Sequence, residues 1–427
     1  MEKKIGNLFK GDKVIWMVFL FLCLISIVEV FSASSTLTYK SQSYIGPIMG
    51  HASKILMGFF LTIIILNIPC RYFKLMSPFL LAVTGFMLLW VCFVAPKTND
   101  AGRWISILGI KFQPSEIAKG TMILITAQIL SAMQRENGAD KDAFKFIMWI
   151  LIPTVLLIGV ENLSTAALLF LVILLMMFIG RVPWQQLGKL LGIIAIIGAF
   201  ALFFVMIVGE EDKEKDSNLT KTEQIDSAHE EKSGVAKAFS SILHRAGTWK
   251  TRIKDFVDDK YIAPEDYDLD KNMQVAHANI AIVSSRYIGR GPGNSVERDY
   301  LPQAYSDFIY AIIIEEIGLV GAAFVAFLYI ILLFRTARIA RRCENNFPAF
   351  LAMGLALLLV IQATFNMLVA VGLAPVTGQP LPLISRGGTS TIINCAYIGV
   401  ILSVSRSAKK RKDGLAKAPE EIHANNS

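Results

Sequence analysis

The residues best suited to chemistry stand in LPQAYSDFIYAIIIEEIGLVG, positions 301–321, where Asp307, Glu315 and Glu316 interrupt a run apolar enough for a lipid bilayer. An acid at a bilayer centre costs roughly 2.5–3.5 kcal/mol on insertion scales, so an intramembrane carboxylate is by default a functional candidate. Read as one helix, the stretch turns Glu315 about 80° around from Asp307 and Glu316 about 180° away. Asp307, near the outer mouth, and Glu315 are therefore expected to face a cavity together, with Glu316 finding a separate packing partner. A plainer reading makes Asp307 a cap or dipole partner at the helix start.

Four other stretches could serve such an acid. In QPSEIAKG, 113–120, Pro114 suits a first helical turn, and Glu116 and Lys119 are three apart on one face. They form either a self-neutralising pair at a helix start or the charged lining of an outward-facing cavity. GRWISILGIKF, 102–112, places Arg103, Trp104 and Lys111 just outside the membrane. Such residues anchor a protein at the interface, or recognise a diphosphate headgroup through a guanidinium fork and an ammonium point charge. SSRYIGRGPGNSVERDYLP, 284–302, sets three glycines among Arg286, Arg290 and Arg298. Successive backbone amides there could hold an anion, although no strand–helix context makes it a nucleotide motif. PVTGQPLPLISRGGTS, 375–390, breaks the approach to the last apolar block and carries Arg386, a counter-ion for an acid or a phosphate. Irregular backbone at that depth must be buried in protein or line a cavity.

Other classes drop out. The five histidines show no Ser-His-Asp arrangement, and no HExxH or Walker loop is present, which argues against proteolysis and ATP-driven transport. The net charge of +8 comes from basic residues gathered in short loops, not from a groove with interleaved aromatics, so nucleic acid is excluded as a partner. Glu29 is assigned no role. The five cysteines lack metal-ligand spacing and read as inert thiols, with no metal site among the side chains.

The elements that position these residues are membrane helices. The chain is 54% hydrophobic and 18% charged with a mean hydropathy of +0.52, and its apolar residues come in long blocks. Although MEKKIGNLFKGDK and the block after it mimic a secretory signal, the many blocks that follow favour an uncleaved first span. The fold class is all-α, a polytopic membrane protein with about ten spans, near 14–33, 54–70, 77–96, 114–133, 146–161, 163–180, 187–208, 306–334, 348–372 and 388–405. Lys and Arg follow the even-numbered spans and precede the first, which puts both termini in the cytoplasm. The organisation is then an N-terminal tail (1–13), seven helices (14–208), one large extracytoplasmic loop (209–305), three helices (306–405) and a basic cytoplasmic tail (406–427). Within the loop, 209–235 is charged and expected to be disordered, whereas 237–259 has the apolar spacing of an amphipathic pair of helices lying on the outer membrane surface or packed on the membrane domain. Asn218 opens a glycosylation tripeptide of a length that occurs by chance.

GRWISILGIKFQPSEIAKG, ENLSTAALLF, RIKDF, RYIGRGPGNSVERDYLPQAYSDFIYAIIIEEIGLVG and TGQPLPLISRGGTS, in this order, resemble the SEDS family of cell-wall polymerases, the FtsW/RodA-like peptidoglycan glycosyltransferases, over nearly the whole chain. The division-type, FtsW-like branch fits slightly better. The resemblance implies ten spans in the cytoplasmic membrane of a bacterium and polymerisation of lipid II into glycan strands on the outer face, in division or elongation. It also implies a class B penicillin-binding protein as partner, with other divisome or elongasome proteins. The family's proposed catalytic base aligns with Asp307. Its QPSE segment carries over to Gln113, Pro114, Ser115 and Glu116, with basic positions at Lys111 and Lys119; Arg103, Trp104, Arg290, Ser306, Glu315, Ser385, Arg386, Gly387 and Gly388 complete the candidate substrate-binding residues. A divalent cation, Mg2+ or Mn2+, could share the diphosphate charge, but no dedicated cage is legible. The chain departs from the family pattern at Gln303, Tyr305 and Ser306, at Asn162 and Ser164, and at Arg386, where Tyr is usual. Two other functions suit the same charges: a flippase moving a lipid-linked precursor through a polar cavity, and a scaffold without catalysis.

Overall fold

The computed structural model describes residues 10–34, 46–94, 105–107, 110–208, 273–285, 287–301 and 304–424. In chain order the helices are α1 (Lys13–Ser32), α2 (Gly46–Asn67), α3 (Cys70–Val94), α4 (Pro114–Ala132), α5 (Lys141–Glu161), α6 (Leu163–Ile179), α7 (Trp184–Val208), α8 (Met273–Ser285), α9 (Ile309–Ala340), α10 (Asn346–Ala370) and α11 (Thr389–Ala424). Seven of these, α1, α2, α3, α5, α9, α10 and α11, contain a stretch long and apolar enough to cross a membrane, and α6 is a shorter apolar helix. The protein is a polytopic, mostly helical membrane protein. Two small antiparallel ribbons qualify the expected all-α class: β1 (Ile105–Ile107) pairs with β2 (Ile110–Phe112), and β3 (Gln134–Arg135) with β4 (Gly138–Ala139).

The helix limits follow local chemistry. Asp12 caps α1, its carboxylate accepting from Val14 N at 2.9 Å, and Asn162 caps α6, accepting from Thr165 N at 3.2 Å. An amide fulfils that capping role, in line with the absence of a carboxylate at 162. The second span begins at Gly46 rather than 54, and the eighth at Ile309 rather than 306. Of the large loop, α8 and a 3-10 turn at Glu297–Asp299 are described. The charged stretch, the Asn218 tripeptide and the amphipathic stretch at 237–259 lie outside the described residues.

Residues 184–267 form one compact unit, of which α7 is the described part, and 1–183 with 268–427 form the other. Inside the larger unit, α2 and α11 meet through small residues. A Cβ at Gly58 would come 2.6 Å from Cys395 Sγ, one at Gly399 would come 3.1 Å from Thr62 O, and Thr62 Oγ1 donates to Cys395 O at 2.8 Å. Close backbone approach with a cross-helix hydrogen bond is how helices associate where lipid is as apolar as the side chains. α10 packs on α4, α6 and α9, and α9 packs on α1 and α8, so α10 lies at the centre of the polar groups described next.

Candidate active site

Asp307 does not lie on α9. It is part of a turn over residues 304–308 that leads into the helix, so the expected helical angles to Glu315 and Glu316 do not apply. The turn is fixed on three sides. Ser306 Oγ donates to Asp307 Oδ1 at 2.9 Å, and Asn366 Nδ2 of α10 donates both to Asp307 O and to Gln379 O at 2.8 Å. Ser385 Oγ donates to Ser306 O at 2.6 Å and accepts from Leu381 N at 2.7 Å. Arg386 N donates to Tyr305 O at 3.0 Å, and its guanidinium lies 5.6 Å from the centre of the Tyr305 ring. Tyr305–Ser306–Asp307 is thereby held against the broken segment 375–388. Gly378, at φ +67, passes close enough that a Cβ there would come 3.5 Å from Asp307 Oδ2. Gln379 Nε2 anchors the same segment to Thr165 Oγ1 of α6 at 2.8 Å.

Next to this turn is a buried polar column. Lys119 Nζ pairs with Glu116 Oε1 at 2.8 Å, with side chains 0% and 4% exposed, and donates to Gln362 Oε1 at 2.9 Å. Gln362 Nε2 in turn donates to Pro380 O at 3.0 Å. Tyr397 of α11 donates to Glu116 O, while Glu116 Oε2 and Ser115 Oγ are buried without a hydrogen-bond partner. Spacing predicts the 116–119 pair; Gln362 and Asn366 were missed, although two amides four apart in an otherwise apolar helix were a signal for them.

Glu315 is the main correction. Its expected place along the substrate cavity gives way to a structural one, because both carboxylate oxygens hold the glycine-rich loop. Ser295 Oγ donates to Oε2, Val296 N to Oε1 at 3.0 Å and Glu297 N to Oε2 at 3.3 Å, with Arg290 Nη1 at 3.6 Å from Oε1. Glu316 does the same for Gly293 N at 3.0 Å and Ser295 N at 3.4 Å, and it accepts from Ser32 of α1, the separate partner expected for it. Even the backbone takes part: Arg290 N donates to Glu315 O at 2.9 Å and Gly291 N to Glu316 O at 2.8 Å. Those carbonyls are available because Gly318, at φ +78 and ψ −179, breaks α9 one turn later. The amides of the glycine-rich loop are thus taken up by the side chains and carbonyls of these two glutamates.

Of the remaining expected residues, Arg290 is partly exposed at the loop's edge. Ser306, Ser385 and Arg386 converge on Asp307. Gly387 and Gly388 continue from them, Gly387 N donating to Ser385 O at 2.9 Å. Gln113 is the N-cap residue of α4 without a capping side-chain bond. Lys111 stands on β2 opposite Ser106. Arg103 and Trp104 lie outside the described residues.

A sequence profile of the cell cycle proteins FtsW, RodA and SpoVE matches residues 12–216 and 233–410. The probable peptidoglycan glycosyltransferase FtsW of Halomonas elongata is 28% identical over 86% of this chain and 83% of its own length. The peptidoglycan glycosyltransferase MrdB of Escherichia coli K12 is 26% identical over 93% of this chain and 94% of its own. Among solved structures, a chain described under the structural coordination of polymerization and crosslinking by a peptidoglycan synthase complex matches with a TM-score of 0.65 at 21% identity, covering 94% of this chain and 99% of that one. The rod shape determining protein RodA of Thermus thermophilus matches with a TM-score of 0.60 at 19% identity over the same shares. At those identities the two structures establish likeness of fold.

Proposed function

This chain belongs to the FtsW/RodA/SpoVE family of cell cycle proteins, and from that premise we propose that it is a peptidoglycan glycosyltransferase, joining lipid II units into glycan strands at the outer face of the bacterial cytoplasmic membrane. The observation that carries the reading is Asp307, a carboxylate on a turn outside the helix proper, fixed by Ser306 and Asn366 and flanked by the segment bearing Arg386. Relatives named as peptidoglycan glycosyltransferases along most of the chain support it. The likeness of fold to a chain of a peptidoglycan synthase complex supports assembly with a class B penicillin-binding protein.

In this reaction an acceptor sugar hydroxyl attacks the anomeric carbon of a lipid-linked donor. Asp307 takes the hydroxyl proton, the new glycosidic bond forms with inversion, and the bond to the donor's diphosphate breaks, leaving a lipid diphosphate. Arg386, with Arg290, Arg103 and Lys111 as further basic groups, offsets the charge that gathers on the leaving group. Lys119 is not in that set, since Glu116 and Gln362 already hold its ammonium. Among the described residues no three His, Cys, Asp or Glu side chains cluster as a metal cage. If Mg2+ or Mn2+ takes part, it would share the diphosphate charge there, as a hard cation does on a phosphorylated substrate, with Asp307 as the carboxylate at hand.

Purified protein with its transpeptidase partner and labelled lipid II in detergent tests this directly. Wild type gives glycan ladders; Asp307→Asn lowers turnover by about 10²–10⁴, the usual worth of a general base, at unchanged thermal stability. Near-normal turnover of the Asn variant would remove Asp307 from the role. Movement of lipid across sealed vesicles without ladders would mean a flippase, and neither activity would mean a scaffold.

A further inference from the structure

Three basic side chains are grouped beside the Asp307 turn, and the reaction above assigns only one of them. His51 of α2 is 2% exposed; its Nε2 hydrogen-bonds Ser26 Oγ of α1 at 2.8 Å, and Ser26 Oγ donates to Ile384 O at 2.6 Å. That ties the ring to the segment ending in Arg386. Lys54, one turn along α2, and Arg386 both act electrostatically on His51, and Arg386 acts on Lys54. Among the described residues none of the three lies within ion-pair distance of a carboxylate. Glu29, one turn along α1 from Ser26, is buried with neither carboxyl oxygen hydrogen-bonded. Two nitrogens of the group, His51 Nδ1 and Arg386 Nη1, are buried without a hydrogen-bond partner.

A buried guanidinium nitrogen without a partner and a neighbouring ammonium, Lys54, are each unfavourable, and both are relieved by one anion. The Tyr305 ring holds the Arg386 guanidinium plane and leaves its fork to an oxyanion, while Lys54 adds a point charge. Ser26 gives its single proton to Ile384, so Nε2 of His51 carries a ring proton. Nδ1 donates in turn once an arriving anion makes the ring cationic. Two phosphoryl groups match three such donors spread over two elements.

We propose that His51, Lys54 and Arg386 form the seat for the diphosphate of the lipid-linked donor. The proposal rests on the polymerase reading for the identity of that donor and on the structure for the seat. Arg386 is bonded to the residue two before Asp307, which places the seat where the leaving group of the reaction must be. α2 thus contributes to the site, which the sequence motifs do not indicate.

The test measures binding of radiolabelled farnesyl diphosphate to the full-length protein in nanodiscs. Wild type binds, Lys54→Arg binds nearly as well, and Lys54→Met and His51→Gln each bind at least about tenfold more weakly. Farnesyl monophosphate binds more weakly than the diphosphate, and farnesol more weakly still. Competition by inorganic pyrophosphate shows that the diphosphate alone is recognised; no competition, with the variants still weakened, shows that the prenyl chain is needed too. Equal binding by wild type, Lys54→Met and His51→Gln overturns the seat, as does equal binding of farnesol. If the seat binds as described but wild type yields no ladders from lipid II, the polymerase reading fails and the seat stands. If ladders form and the variants bind the diphosphate normally, the reverse holds.

Discussion

Lys119 is a fully buried ammonium with two partners, Glu116 Oε1 at 2.8 Å and Gln362 Oε1 at 2.9 Å. Burying both members of an ion pair costs much of what their attraction returns, so the pair by itself adds little stability; removing one member is costly, because the other stays behind as an uncompensated charge. Lys119→Met should therefore destabilise the protein by about 3–5 kcal/mol, and Glu116→Gln with Lys119→Met should restore most of it. Thermal unfolding in detergent measures the cycle, and lipid II polymerisation by the double variant decides between the two readings of QPSEIAKG. Ladders from a folded double variant mean that the pair is structural. A folded double variant without ladders would return Glu116 and Lys119 to the substrate-contacting set.

α9 shows where a sequence stops being legible. Long apolar blocks mark its span because a bilayer requires about 20 apolar residues wherever the chain crosses, and the family motif marks Asp307. Neither reveals that the helix starts only at Ile309 or breaks at Gly318, since both depend on partners far along the chain. The break is a lock between two glycines: a Cβ at Gly318 would come 2.4 Å from Tyr287 O, and one at Gly289 would come 2.4 Å from Glu316 O. The helical-wheel reading of Glu315 failed because Asp307 precedes the helix start, and the basic pair on α2 escaped because no motif spans Ser26, His51 and Ile384. By contrast, the 116–119 pair and the helix start at Pro114 were legible, being fixed by residues three or four apart. Gly318→Ala should cost more than the usual 1–3 kcal/mol of a non-glycine residue in that backbone region, because the added carbon also meets the Tyr287 carbonyl. Thermal unfolding reads the loss, and ladder formation should fall with it, since the loop that α9 clamps leads directly into the Asp307 turn. An alanine variant of wild-type stability would show that the loop and α9 are not locked together.

Across the whole molecule the two ends of the helices carry different chemistry. Asp307, the polar column and the basic group gather toward one end of α1, α2, α4, α9, α10 and α11. At the other end Asp12 accepts from Arg335 Nε at 2.8 Å and donates from its backbone to Ser405 Oγ at 2.9 Å, joining α1, α9 and α11 beside the basic loops. The positive-inside rule predicts that this second end is cytoplasmic. Cys343, in the turn between α9 and α10, can report the side. Burial, with a smaller push from Cys70, raises its thiol to about 11, so the protonated form persists at neutral pH and only about one thiol in 10⁴ is thiolate at pH 7. An impermeant maleimide should label it slowly at pH 7 and about a hundredfold faster at pH 9. Labelling should occur in inside-out vesicles but not in right-side-out ones, with Cys343→Ser as the control. Labelling in right-side-out vesicles would reverse the orientation and place Asp307 on the cytoplasmic side, where a polymerase acting outside the membrane could not use it.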